Sequence, residues 1–242
     1  MSQVDRRGVA RTCSVLSLVV HPMERLRYIA RSRAVGQQLL VEEAATALAS
    51  LADDHNQLVM ACRQMISHHS TSGAIVALAA RLLTASDPRQ EAWEVVEEVR
   101  SDRSTEHLVY SLASQTTIFV SRWSEHIDVV LADRPDVSLV ASIEDSAVVL
   151  IEADAASPVQ LLVDSSNAPL LAEAKDHGAQ LWAVAAYGSI LPASLFAAVV
   201  VRAGRGSVVL EIADVDRVVC NDGALSRGLL LKSTCPYAAE LA

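Results

Sequence analysis

The sequence predicts an α/β protein in which an N-terminal helical region packs on a mainly parallel, Rossmann-like α/β sheet. Apolar residues recur at helical spacing from Met23 to about Ser114, and after Gln115 the pattern changes to short β-rich runs separated by helices. No glycine- or serine-rich linker divides the two regimes, so they are expected to pack against each other. The expected divisions are a basic arm and first helix at 1–33, a helical domain at 34–115 and an α/β domain at 116–242.

Each element has its own signal. Leu39, Leu40, Ala44, Ala47, Leu48 and Leu51 form one apolar stripe, and Leu58, Val59, Cys62, Met65 and Ile66 form another. Ser72-Gly73 leads into a helix over Ala74–Leu83. Asp87 is placed to cap the next helix, with Pro88 in its first position and Glu91 in its first turn. A further helix is expected over Thr105–Ser114. The β-rich runs are Thr116–Ser121, Val137–Ser142, Ala147–Glu152, Val159–Val163, Leu181–Ala186 and Val208–Ile212, with helices over Glu125–Ala132, Asn167–His177 and Ala193–Val201. Strands that alternate with helices imply crossovers and a mainly parallel sheet covered on both faces. Asn221-Asp222-Gly223 signals a tight turn.

Composition sets the class. At 51% hydrophobic and 20% charged residues over 242 positions, the chain must bury surface, which excludes disordered and collagen-like readings. The formal charge of −9 argues against a general nucleic-acid binder. The exception is the start of the chain, where seven arginines (Arg6, Arg7, Arg11, Arg25, Arg27, Arg31 and Arg33) face only Asp5 and Glu24. Such an arm can bind a partner, RNA or the protein's own surface, or can be no more than a solvated first helix with a frayed tail. Cys13, Cys62, Cys220 and Cys235 are scattered without a CxxC, so no zinc ribbon or redox pair is written here and reduced cytosolic thiols are expected. No metal and no cofactor is implied.

Val15–Val20 is too short for the apolar core of a secretory signal, and no export is expected. Leu181–Val201 has no charged residue and the length of a membrane span, but Gly188, Ser189 and Pro192 interrupt it. It divides into a buried strand, a turn and an apolar helix, so no membrane partner is expected.

In a parallel sheet, ligands bind beyond the carboxyl ends of the strands. The residues that follow the β-rich runs are therefore the candidates: Ser121, Arg122, Trp123 and Ser124; then Glu152 and Asp154; then Ser165, Ser166 and Asn167 at a helix start, where free N–H groups favour an anion. Asp164 beside them opposes one, and Ser166 and Asn167 also read simply as helix caps.

The run Val148–Ala155, the stretch Asp164–Ala174, Leu181–Ala185 and Ile190-Leu191-Pro192 together resemble the C-terminal half of the translation initiation factor 2B regulatory-subunit superfamily. That superfamily includes methylthioribose-1-phosphate and ribose-1,5-bisphosphate isomerases. Ile118–Ser124 is similar to its strand and loop with a Thr-x-Cys-Asn type motif, and Ser70–Ala74 to its Ser-Gly-Ala helix start. The resemblance implies a catalytic aspartate at Asp154, with Glu152 where the family has glycine. The family's cysteine is not retained, since the matching loop carries Arg122 and Trp123; the Asn-Lys-x-Gly-Thr run has become Val163–Asn167, so that aspartate stands in place of a phosphate-holding lysine. The segment between Ser124 and Ala147 is also shorter than the family's by about one strand–helix unit.

Two readings follow. One is a non-catalytic dimeric scaffold or small-molecule sensor in the cytoplasm, with a degenerate sugar-phosphate pocket and a protein partner. The other is a sugar-phosphate isomerase in which Asp154 is the general acid/base, Arg122 takes the phosphate, and Glu152 or Ser121 replaces the thiol.

Overall fold

The computed structural model describes residues 36–122, 124–227 and 230–241; the basic arm and Trp123 therefore lie outside the described residues. Five helices come first: α1 (Gln37–Ala49), α2 (His55–His68), α3 (Gly73–Thr84), α4 (Pro88–Arg100) and α5 (Ser104–Ser111). The starts of α2, α3 and α4 are written in short-range chemistry. Asp54 accepts from the N–H of Gln57, Ser72 from that of Ile75, and Asp87 from those of Arg89 and Gln90, so side-chain oxygens satisfy donors that a first helical turn leaves open.

The stripes read from periodicity face inward, with one exception: in α1 Leu40, Ala44, Ala47 and Leu48 are buried, while Leu39 is exposed. The buried face is centred on Leu40, Val41, Ala44, Ala45, Ala47 and Leu48, and Leu39 lies on the opposite side of the helix.

The strands and helices that follow are β1 (Thr117–Val120), α6 (Glu125–Asp133), β2 (Ser138–Leu139), β3 (Val148–Glu152), β4 (Ala155–Ala156), β5 (Gln160–Asp164), α7 (Ala168–His177), β6 (Gln180–Ala185), α8 (Ala193–Ala203), β7 (Ser207–Glu211), β8 (Arg217–Cys220) and β9 (Gly223–Ser226). The main sheet has the order β2-β1-β3-β6-β8-β9, parallel throughout except for β9. In β3 and β6 side chains alternate between two apolar cores, as a period of two requires. Val149, Ile151, Leu181 and Ala183 face Leu170 and Ala174 of α7. Val148, Leu150, Trp182 and Val184 face Leu108 of α5 and Ile127 and Val130 of α6. A third core joins α1–α4 to Leu195, Phe196 and Val199 of α8 and to Ala238 and Leu241 near the chain end.

Two features differ from the sequence expectation. The runs around Val159–Val163 and Val208–Ile212 are not in the parallel sheet; β5 and β7 pair antiparallel, with β4, in a separate three-stranded sheet. Short β-rich runs carry no record of their partner or its direction, because pairing is decided by tertiary packing. Strand β8 and the edge strand β9 were not anticipated. They form a hairpin in which Cys220 pairs with Gly223 across Asn221-Asp222, which is the tight turn that the sequence does signal. The apolar stretch 181–201 divides, as expected, into β6, a turn and α8; among the described residues no helix is long and apolar enough to cross a membrane.

Candidate functional site

The strand order reverses direction at β1 and β3, since β2 lies to one side of β1 and the later strands to the other. A doubly wound sheet opens a crevice at such a point, beyond the carboxyl ends of the two strands. Arg122 follows β1, and Glu152 and Asp154 lie at the end of β3. The Arg122 Nη2 atom is 3.6 Å from Glu152 Oε2 and 3.5 Å from Asp154 Oδ1. The two carboxylates do converge, although the strand ends at Glu152; Arg122 gathers them.

Asp154 is mostly buried, and burial pushes its carboxyl above the ordinary aspartate range, while Arg122 pulls it down and Asp164 and Glu152 push it further up. Like-charge repulsion from Glu152 is therefore a lesser cause than desolvation. Asp164 moves the other way: the hydroxyl and N–H of Ser166 hold its carboxylate below the usual range. That N–H donates to Asp164 Oδ1 at 2.8 Å. The helix start at Ser165 and Ser166 therefore already has a carboxylate on it, where a phosphate would need open donors. Asn167 is buried and accepts from the Ser121 hydroxyl, which ties the loop after β1 to the start of α7. Ser124 is the N-cap residue of α6, and its backbone carbonyl accepts from Ile127.

Sequence reasoning missed His126. Its Nε2 is 3.8 Å from Glu152 Oε1, and its Nδ1 is hydrogen-bonded to the Thr105 hydroxyl of α5. The signal was faint: a histidine in the first turn of a helix just after a strand end. The helical layer also reaches the site through backbone. The Gly73 N–H donates to the Asp154 carbonyl at 2.8 Å, and a Cβ at Gly73 would lie 2.6 Å from the Ser189 carbonyl oxygen. The Ser-Gly-Ala helix start is thus a contact that only glycine permits.

Room is scarce here. The space bounded by Ser121, Arg122, Ser124, Glu152 and Asn167 is about 10 Å³, enough for about one water. Larger cavities lie nearby: one of about 180 Å³ against Thr105, His126 and Tyr187, and one of about 120 Å³ where β6 and β8 end against α3 and α4. Among the described residues no thiol lines the space around Arg122 and Glu152. Burial pushes Cys62 up to about 12 and Cys235 up to about 11, and raises Cys220, so none of these is held as a thiolate. Among the described residues no group of three or more His, Cys, Asp or Glu side chains is arranged to hold a metal.

Comparison with solved structures places this architecture. A Pyrococcus horikoshii OT3 translation initiation factor eIF-2B superposes with a TM-score of 0.69 over 86% of this chain and 97% of its own, at 10% identity. The fold is that of eIF2B subunits. The tetrameric eIF2B-beta2-delta2 complex from C. thermophilum matches with a TM-score of 0.66 at 14% identity, over 85% of this chain and 90% of its own. A 5-methylthioribose 1-phosphate isomerase from Pyrococcus horikoshii OT3 matches with a TM-score of 0.57 at 13% identity, over 85% of this chain and 84% of its own. No family model and no curated protein matches the sequence. The fold is thus shared with both a translation factor and an enzyme, and a shared fold assigns neither role.

Proposed function

We propose that this chain is a non-catalytic, homodimeric scaffold or small-molecule-sensing protein of the cytoplasm, built on the eIF2B-type fold, whose sugar-phosphate pocket is degenerate. The observation that carries this reading is the engagement of Arg122. Its guanidinium, the group a phosphate would need, lies against Glu152 and Asp154, and the space between it, Ser121 and Glu152 is about 10 Å³. Asp164 adds a third carboxylate where an incoming phosphate would meet repulsion. Self-association and a protein partner are favoured by the assembly named for one structural neighbour, the tetrameric eIF2B-beta2-delta2 complex.

One observation favours a second reading, an aldose–ketose isomerase. Asp154 is held toward its protonated form by burial, as a general acid requires. In that reading Arg122 releases the carboxylates to take phosphate, and Ser121 or Glu152 serves as the partner base. Two measurements test the proposal. Sedimentation velocity across a concentration series is expected to show a dimer, and a monomer throughout would remove the scaffold part. A thermal-shift panel of pentose mono- and bisphosphates is expected to leave the midpoint unmoved. A ligand at about 100 times its dissociation constant adds about 2.7 kcal/mol, so binding would be plain. A shift that disappears in Arg122→Ala would favour the isomerase instead.

A further inference from the structure

The cavity of about 120 Å³ lies beyond the carboxyl ends of β6 and β8, away from the Arg122 cluster, and has an ordered distribution of polarity. Its buried wall is apolar: Ala74, Ala77 and Leu78 of α3, Val95 and Val99 of α4, and Ala185 at the end of β6. Its exposed rim holds one cation and one anion, Lys232 and Asp222. Neither forms an ion pair among the described residues, with the other or with any third group. The third charged residue in the wall, Arg81, is already satisfied by Glu91, Glu98 and the Tyr187 hydroxyl.

The rim is held in place. Asn221, beside Asp222 in the β8–β9 turn, accepts from the Arg103 N–H through its side chain and is bonded to His107 through its carbonyl. Lys232 lies on the segment that crosses the cavity, and the next residue, Ser233, donates to the Ile190 carbonyl at 2.9 Å. A ligand that complements this arrangement carries a carboxylate for Lys232, an ammonium for Asp222 and an apolar body for the wall. A cavity of about 150 Å³ holds benzene, so this one has room for roughly five non-hydrogen atoms, the side chain and Cα of leucine, with the charged head group at the rim.

We propose that the cavity at the ends of β6 and β8 is a binding site for a free, branched aliphatic amino acid, with Lys232 on its carboxylate, Asp222 on its ammonium and the α3–α4 face around its side chain. The site stands apart from Arg122 and Asp154, and it survives if the reading given above for that cluster fails.

Isothermal titration calorimetry of the full chain tests it with L-leucine, with isovalerate, which lacks the ammonium, and with isoamylamine, which lacks the carboxylate. Leucine is expected to bind at one site per chain, and each truncated probe about tenfold or more weaker. Lys232→Met and Asp222→Asn, both at exposed positions, are expected to weaken leucine by a similar factor, and Arg122→Ala to leave it unchanged. Absence of heat with leucine, or equal binding of all three probes, would overturn the proposal. So would undiminished leucine binding in both rim variants with their far-ultraviolet circular dichroism unaltered.

Discussion

Two stretches of the molecule, both beyond strand ends, have opposite character. At β1 and β3 the crevice is filled with charge: Arg122 is drawn against Glu152 and Asp154, Asp164 stands beside them, and little space is left. At β6 and β8 the space is open and apolar, with its two rim charges unspent. A fold positions a crevice and does not decide what occupies it. Where opposite charges lie close enough to satisfy each other the site closes, and where they are held apart it stays available to a ligand.

The largest effect is expected where the helical layer meets both stretches. Gly73→Val places a Cβ 2.6 Å from a backbone oxygen, and neither α3 nor the Ser189 turn can give way independently. Chemical denaturation is expected to show a loss of at least about 3 kcal/mol. A loss under about 1 kcal/mol would mean that the helices do not dock on the strand ends as described.

Next comes Arg81→Met at the wall of the open cavity. It strands Glu91, Glu98 and the Tyr187 hydroxyl, and is expected to cost about 2–3 kcal/mol. Tyr187→Phe removes a single hydrogen bond from the same network and is expected to cost about 1 kcal/mol. If the two changes cost the same, Arg81 would be acting through Tyr187 alone.

The smallest effects separate the closed stretch by sign. Because Asp154 has a raised pKa in the folded protein, its favourable contribution is present below the ordinary aspartate value and is lost as pH rises through the raised one. Asp154→Asn is therefore expected to raise the unfolding midpoint at neutral pH, with the gain vanishing in acid. Arg122→Ala is expected to lower stability at neutral pH by up to about 1 kcal/mol, given that Arg122 is more than half exposed. Thermal unfolding followed by circular dichroism between pH 3 and pH 8 checks both. The opposite pattern, a loss for Asp154→Asn at neutral pH, would show that Arg122 outweighs burial at this carboxylate.

What was legible in the sequence was local. Ser72 and Asp87 declare helix starts because a cap needs only neighbouring residues, and Asn221-Asp222-Gly223 declares a turn for the same reason. The apolar β3 and β6 read as central strands because both of their faces are buried. The rule for strand ends made Arg122, Glu152 and Asp154 candidates, but the ion pairs that join Arg122 to the two carboxylates were not legible in it. What did not show was non-local. The antiparallel pairing of β5 with β7 joins residues such as Leu161 and Leu210, far apart in the chain. His126 acquires its place only when α5 brings Thr105 to one side of it and β3 brings Glu152 to the other. The open cavity was hidden because it needs β8, a four-residue strand whose end, Cys220-Asn221-Asp222, reads in sequence as nothing more than a turn.

We propose that the Asp154 end of the crevice does not perform isomerisation. The most direct test is to incubate the purified full chain with 5-methylthioribose 1-phosphate, and separately with ribose 1,5-bisphosphate, and to follow the sugar carbons by nuclear magnetic resonance. The account predicts that the aldose signals persist unchanged, in the wild type as in Asp154→Asn. Conversion to the ketose by the wild type, abolished in Asp154→Asn, would contradict it.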